Sequence, residues 1–285
     1  MIGLSTTYYA TKGLTVYNSV KRIVELGFNA VEFGAAHSFE RGIWATLKKV
    51  KKDFRDIVFT VHNLFPPFKK KIWFNPADGL TPLNRKVVDG LFKTAFITGA
   101  RLISMHPPIL NEITIGNKIF GNFSQPLIGK SKNVRQSLDN FSQLMKYVSD
   151  KSKGSDAKVV VENMNNSFFN TPISSKDDFL RVFNDFPGTG MLFDIGHALQ
   201  CGNTEELLEL DGNICELHLH AIKSGPQGRW WGHLPIKDKS FFKPIKNILK
   251  KKSAILIFEH GADISEEDIL EEKRLLEEYQ EQYCN

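Results

Sequence analysis

The chain has 285 residues, of which 41% are hydrophobic and 24% charged, and a formal net charge of +5. That is ordinary globular composition able to bury a sizeable core, and its mild basicity permits an anionic substrate without demanding nucleic acid. Three widely spaced cysteines give no disulfide framework and no Cys-based zinc motif; with no N-terminal leader pattern and no apolar run near the roughly 18 residues of a membrane span, the expectation is a soluble, reduced, cytoplasmic protein.

Taken in chain order, apolar runs with strand-like content fall at Ile2–Ser5, Ala30–Phe33, Ile57–Val61, Leu102–Met105, Lys158–Val161, Met191–Phe193, Ile214–Leu217 and Ala254–Phe258. Segments of helical period alternate with them, near Val16–Leu26, Phe39–Asp53, Leu83–Thr98, Val134–Lys151, Lys176–Phe186, Thr204–Leu210 and Phe241–Lys250, with a final helix over Glu266–Tyr283. Ser265 followed three residues later by Asp268 resembles a capping box at the start of that helix. Eight strand–helix alternations with no linker predict one closed barrel, an α/β fold of the (β/α)8 TIM type, spanning residues 1–285 as a single domain. An open doubly wound sheet competes, but the Gly-rich phosphate loop it usually carries after its first strand is absent.

Six of these runs end in a residue able to bind a metal: His62, His106, Glu162, Asp194, His218 and Glu259. A parallel barrel directs the residues at its strand ends to one rim and one pocket. One such histidine alone is more often a packing residue; six in succession point to a metal-dependent enzyme. Clustered buried carboxylates also need a cation or protons to neutralise them. A nitrogen and oxygen set without cysteine suits Zn, Mn, Co or Fe better than Ca. His197 follows Asp194 by one turn, His233 sits late in the loop after the seventh strand, and His220 shares the strand direction of His218, so all three join the candidates. His37 and His260 read as incidental, and His260 is expected to point away from Glu259 by strand alternation.

Three long segments, Asn63–Pro82, Pro107–Lys132 and Leu219–Ser240, belong to the same rim and together carry +7, whereas Ser265–Tyr283 carries −6. Long loops in compact domains are usually lids or binding surfaces, so this charge suggests either an anionic substrate or simply Lys-rich surface loops.

The ordered motifs VHNLFPP, SMHPP, VVVENM, FDIGHALQCG, ELHLHAIK, GHLPI and LIFEH resemble the xylose isomerase-like TIM-barrel superfamily over essentially the whole chain. Within it they look most like the endonuclease IV branch, apurinic/apyrimidinic endonuclease family 2. That resemblance implies His62 and His106 on one metal with Glu162 as a bridge, and Asp194, His218 and Glu259 on a second with the same Glu162. His197 and His233 would belong to a third metal, which also needs an Asp where this chain has Trp231. The family's Asn-Asp after the strand-seven His is changed to His220 and Ala221, and its Gly-x-Gly after the last His to Lys237-Asp238-Lys239.

Two reactions follow from this resemblance. The first is phosphodiester hydrolysis at abasic sites in DNA, a repair endonuclease with two or three divalent ions, zinc or alternatively manganese, and with Glu162, Glu259 and Asp194 as catalytic carboxylates. Lys69, Lys70, Lys71, Lys223 and Arg229 would then contact phosphates, while Phe65, Trp73, Trp230 and Trp231 would stack beside an extruded nucleotide or simply pack the loops. The second is isomerisation or epimerisation of a sugar or sugar phosphate with one divalent ion on Glu162, Asp194, His218 and Glu259, the two glutamates exchanging a proton on carbon. Substrate contacts are expected from Lys223, Arg229, His220 and Trp231, and a monomer is expected in either case. A metal-loaded binding protein without catalysis is a third reading, and burying so many ionisable groups without catalytic use is costly.

Overall fold

The structure, a computed structural model, describes residues 1–120, 123–165, 169–224, 230–251 and 253–284, and gives the backbone alone for 117–120, 123–125, 230 and 231. Eight parallel strands close into a barrel: β1 (Ile2–Ser5), β2 (Ala30–Phe33), β3 (Val58–His62), β4 (Leu102–Met105), β7 (Lys158–Glu162), β8 (Gly190–Asp194), β9 (Ile214–Leu219) and β12 (Ile255–Phe258), with β12 pairing back onto β1. All eight expected strands are present. Val58–His62 sits one residue later than expected, and Glu162 and Asp194 are the last residues of their strands, so these positions are held by the barrel sheet rather than by loops.

Strand parity sorts the side chains. Val31, Phe33, Phe59, Val61, Ile103, Met105, Val159, Val161, Met191, Phe193, Leu217, Leu256 and Phe258 belong to the large core between barrel and helices. Their alternates Ala30, Leu102, Val160, Leu192, Ile255 and Ile257 form a separate cluster, the floor of the barrel interior. Two residues beyond the first four of these, along the same strands, stand Glu32, Ser104, Glu162 and Asp194. The inward row therefore changes from apolar to polar and ionisable on approaching the rim.

The outer layer contains α2 (Val16–Glu25), α3 (Ile43–Asp53), α4 (Pro82–Thr98), α5 (Val134–Ser152), α6 (Lys176–Asp185) and α10 (Glu266–Tyr283), with short helices α1 (Thr7–Thr11), α7 (Ile195–Cys201), α8 (Thr204–Leu208) and α9 (Lys246–Lys250). Local chemistry sets their ends. Thr81 caps α4 by accepting from the Asn84 N–H, Pro82 follows at the first position, and Gly99 closes it in the left-handed region at φ 68°. Ser265 accepts from the Asp268 N–H at 3.0 Å, in line with its spacing. The helix expected over Phe241–Lys250 is instead a 3-10 turn at Lys239–Phe242 followed by the short α9, with Pro244 between them lacking the N–H a continuous helix needs. Two antiparallel hairpins occupy the long loops: β5 (Asn111–Phe120) with β6 (Phe123–Ser131), and β10 (Ala221–Ser224) with β11 (Trp230–Leu234). No helix among the described residues is long and apolar enough to cross a membrane.

His260 points away from Glu259, as alternation requires, but it is not incidental. Its Nε2 lies 2.7 Å from Glu272 of α10, both side chains fully buried, and its Nδ1 meets the His233 carbonyl at 3.1 Å. Glu272 also accepts from the Ile236 N–H. Burial disfavours charge on His260, but the hydrogen bond and charge of Glu272 outweigh it and raise its pKa. This buried pair joins the last helix to the segment carrying His233. Glu272→Ala should therefore lower unfolding stability by about 3–5 kcal/mol, measured by chemical denaturation; a loss below about 1 kcal/mol, the scale of a surface pair, would show that the pair does not hold the helix.

Candidate metal centre

The six strand-end residues converge. Glu162, Asp194 and His218 are at most 1% exposed, and His62 is 5% exposed, so nearly all of this charge is withdrawn from water. His62 Nε2 lies 3.0 Å from Glu162 Oε2, and His106 Nε2 lies 3.3 Å from the same oxygen. His197 Nδ1 approaches the other oxygen, Oε1, at 3.3 Å. His218 Nδ1 is 3.2 Å from Glu259 Oε2 and 3.9 Å from Asp194 Oδ2.

Hydrogen bonds select which imidazole nitrogen faces inward. The Nδ1–H groups of His62, His197 and His233 donate to the carbonyls of Asn63 (2.6 Å), Asn163 (3.0 Å) and Glu259 (2.9 Å), which leaves Nε2 as the second nitrogen of each ring; that of His62 already meets Glu162 Oε2. His218 is reversed: its Nε2–H donates to Glu32 Oε2 at 2.9 Å, so Nδ1 faces the carboxylates without a hydrogen-bond partner. A carboxylate fixing the far nitrogen of an imidazole is the usual support of a metal-binding histidine. Asparagines that directly follow His62 and Glu162 complete the frame. Asn63 Oδ1 accepts from the His106 N–H at 2.7 Å, while Asn163 donates to the Asp194 carbonyl (2.9 Å) and accepts from its N–H (2.8 Å). Asp194 also caps α7, accepting from the His197 N–H at 2.7 Å.

The electrostatics match this arrangement. Burial pushes the pKa of Glu162 up, but the hydrogen bonds of His197 and His62 and the charge of His106 outweigh it and hold the carboxyl well below its ordinary range. Burial likewise opposes ionisation of Glu259, and the charge and hydrogen bond of His218 overcome it. Desolvation lowers His106 to about 4, keeping it a neutral imidazole able to ligate. His62 rises to about 9: burial works against its charge, but Glu162 and Glu32 prevail.

His62, His106 and Glu162 present ligand atoms within 4.8 Å of one another, and so do Glu162, Asp194 and His218. Glu162 belongs to both groups, and Glu259 adjoins the second through His218. These residue types fit a divalent metal. A further group, His197, His220 and His233, satisfies the same distance. Here both nitrogens of His220 are already engaged: Nε2 lies 3.1 Å from Asp194 Oδ1, and Nδ1 accepts from the His233 N–H at 2.9 Å.

That arrangement corrects the expectation of His220 as a substrate contact. It is fully buried and does not line the cavity; it holds His233, whose φ of 56° is left-handed, against Asp194. Gly196 makes room for it, since a Cβ there would collide with the His220 ring. Phe65 cannot stack on a nucleotide, because it is fully buried with its ring 5.1 Å from Phe33. Lys223 is exposed on β10 and does not line the cavity. Arg229 and the side chains of Trp230 and Trp231 lie outside the described residues. The basic loops are also less available than their charge implies, since Lys132 pairs with Asp78, Lys237 with Asp268 and Lys239 with Glu278.

A cavity of about 450 Å³ opens onto the centre. His62, His106, Glu162, His197, His233 and Glu259 line it together with Leu64, Trp73, Phe74, Pro126, Met164 and Phe169; Pro126 comes from the β5–β6 hairpin.

Sequence reasoning misses Glu32, Asn63, Asn163 and the buried Glu216. Glu32 is masked because Phe33 follows it and the apolar run reads as continuous. Asn63 and Asn163 directly follow His62 and Glu162, a repeat that is visible in the sequence and serves as a signal. Neither oxygen of Glu216 has a hydrogen-bond partner, and burial followed by repulsion from Glu32 pushes its carboxyl up to about 7.

A family model described as xylose isomerase-like TIM barrel matches residues 20–279. No curated protein matches the sequence. Among solved structures, a D-tagatose 3-epimerase-like protein is similar at 21% identity and TM-score 0.66, covering 99% of this chain and 97% of its own. An AP endonuclease family 2 protein from Brucella melitensis is similar at 12% identity and TM-score 0.67, covering 100% and 99%. D-Psicose 3-epimerase from Clostridium cellulolyticum H10 is similar at 11% identity and TM-score 0.67, covering 100% and 99%. At these identities the likeness establishes the fold.

The Glu32–His218 bond yields a direct test. Glu32→Gln should weaken divalent-metal affinity about 10–100-fold, read by competition with a chromogenic chelator. An unchanged affinity in a folded variant would remove Glu32 from the support of the centre.

Proposed function

This chain belongs to the xylose isomerase-like TIM-barrel family, and from that premise we propose that it is a divalent-metal-dependent sugar epimerase or isomerase. The observation carrying the proposal is the cavity: about 450 Å³, lined by both ionisable and apolar or aromatic groups, with neither Lys nor Arg among the described residues that line it. A site of this size and polarity suits the polyol or keto portion of a small sugar. A duplex phosphate backbone calls instead for a basic groove.

A metal held by Glu162, Asp194, His218 and Glu259 would supply Lewis-acid polarisation of a substrate carbonyl. The chain's own groups supply the rest. Glu162 and Glu259 are both held ionised and both line the cavity. One carboxylate takes a proton from the carbon beside the carbonyl; for isomerisation it returns that proton to the neighbouring carbon, and for epimerisation the other carboxylate, after taking up a proton from water, delivers it to the opposite face. His62 and His197 fix the orientation of Glu162 through its two oxygens. Leu64, Trp73, Phe74 and Phe169 provide a face for the C–H side of a sugar and exclude water from the exchanging proton.

Phosphodiester hydrolysis is the second reading, and one observation favours it. The His62–His106–Glu162 group stands beside the Glu162–Asp194–His218 group and shares its glutamate, the arrangement a two-metal hydrolase uses. Abasic-site DNA would then be the partner, with two ions per chain.

Incubating the metal-loaded protein with a panel of ketoses in deuterium oxide separates the readings. The expected result is deuterium incorporation beside the carbonyl, falling by about 100–10,000-fold in Glu162→Gln, the contribution of a positioned acid–base group. Absence of exchange across the panel, together with nicking of abasic duplex DNA, would replace this proposal with the hydrolase.

A further inference from the structure

We infer that the pocket beside the metal cavity is an anion subsite, and that the substrate is a phosphorylated sugar whose carbonyl end lies among the metal residues while its phosphate lies on Lys69 and Lys70. The inference rests on the sugar reading above.

This second pocket encloses about 240 Å³ and is lined by His37, Ser38, Phe39 and Phe68 together with Lys69 and Lys70. Ala35, Leu64 and Trp73 line both it and the metal cavity, so the two spaces adjoin. No carboxylate is among the described residues of the lining. The setting differs from that of Lys132, Lys237 and Lys239, each of which is paired with an acid. Adjacent ammonium groups edging an acid-free pocket create a local field suited to a dianion.

The pocket is built, not merely charged. The lysines follow Phe65, which is fully buried, and precede Phe74 and Asn75, which are nearly so. Asn75 donates to the carbonyls of Ile109 (2.9 Å) and Asn111 (3.2 Å), and Asn84 donates to the carbonyl of Asn75 (2.8 Å). The basic segment is thus anchored at both ends. Trp73, in the wall shared with the metal cavity, has its indole Nε1 buried without a hydrogen-bond partner. In the wall formed by residues 35–39 the ring of His37 stands edge-on to Phe65 at 5.9 Å and is 8% exposed, with no well-formed hydrogen bond to either nitrogen. Buried donors of this kind are rare and call for an acceptor. Burial lowers His37 to about 4 against the weaker pull of the Leu14 backbone, so its ring is neutral.

The division of labour follows: the cavity with neither Lys nor Arg among its described lining residues receives the neutral, reacting end, and the lysine-edged pocket beside it receives the anionic tail. Phosphate chemistry is common to a sugar phosphate and a nucleic acid, and the experiment distinguishes them. Binding of a ketopentose 5-phosphate, the unphosphorylated ketopentose, inorganic phosphate and a short DNA duplex to the metal-loaded protein is measured by calorimetry, alongside deuterium exchange with both sugars. The comparison is Lys69→Ala/Lys70→Ala, two exposed positions whose truncation leaves the core intact. The sugar phosphate is expected to bind more tightly than the free sugar, and the double variant to weaken it by about 100-fold, roughly tenfold per charge-assisted contact. KM for the phosphorylated sugar should rise by the same factor, while KM for the free sugar should not. Equal binding of the two sugars, equal effects of the variant on both, or tight binding of the duplex alone would overturn the inference. Phosphate-dependent binding that is lost in the variant, without exchange on any sugar, would uphold the subsite and defeat the epimerase reading instead.

Discussion

Carboxylates and imidazoles crowd one rim of this barrel almost out of reach of water, and such a set persists only if positive charge is shared among them. Glu32, Glu162 and Asp194 are buried around His62 and His218, so nearly every carboxylate oxygen here requires a proton or a cation close by. The surrounding design follows from that requirement. Backbone carbonyls take one nitrogen of His62, His197 and His233, and Glu32 takes one nitrogen of His218, so each ring is fixed by a hydrogen bond on one side. The proteins of similar fold act on different substrates, yet this charge constraint is local and is met here by the chain's own hydrogen bonds.

Above the centre the requirement changes from charge balance to selection. Leu64, Phe74, Met164 and Phe169 contribute apolar lining to the cavity beside its ionisable groups, and the β5–β6 hairpin adds Pro126. Low polarity of that lining strengthens electrostatic interactions across the cavity and makes unpaired charge on a ligand expensive there. Placing the lysines in a neighbouring pocket keeps their field available without letting an ammonium group compete for the carboxylates.

Much of this is legible in the sequence because it depends on parity and spacing. A strand with an apolar run that ends in His, Asp or Glu sends that residue to the rim whatever surrounds it, which is why His62, His106, Glu162, Asp194, His218 and Glu259 are identifiable. What is not legible depends on partners distant in the chain. Glu32 looks like part of an apolar strand until its bond to His218 is known. His220 resembles a second accessible histidine of HLH, yet Gly196 admits it into the interior and His233 closes over it. The +7 of the long segments overstates the mouth's charge because Asp268 and Glu278, on a helix far along the chain, neutralise two of its lysines. The hairpins are hidden as well, since their strands lie in stretches with the composition of irregular loops.

The contacts of Glu162 and Glu32 also bear on how the molecule assembles. His62 and Glu162 are 100 residues apart and Glu32 and His218 are 186 apart, so no short continuous stretch of chain contains a usable centre. Closing loops of that length carries an entropic penalty that is recovered only when the last barrel strand zips against the first. The candidate metal centre is therefore a late product of folding: a partly formed barrel holds its residues apart, and only the closed ring gathers them into one cluster.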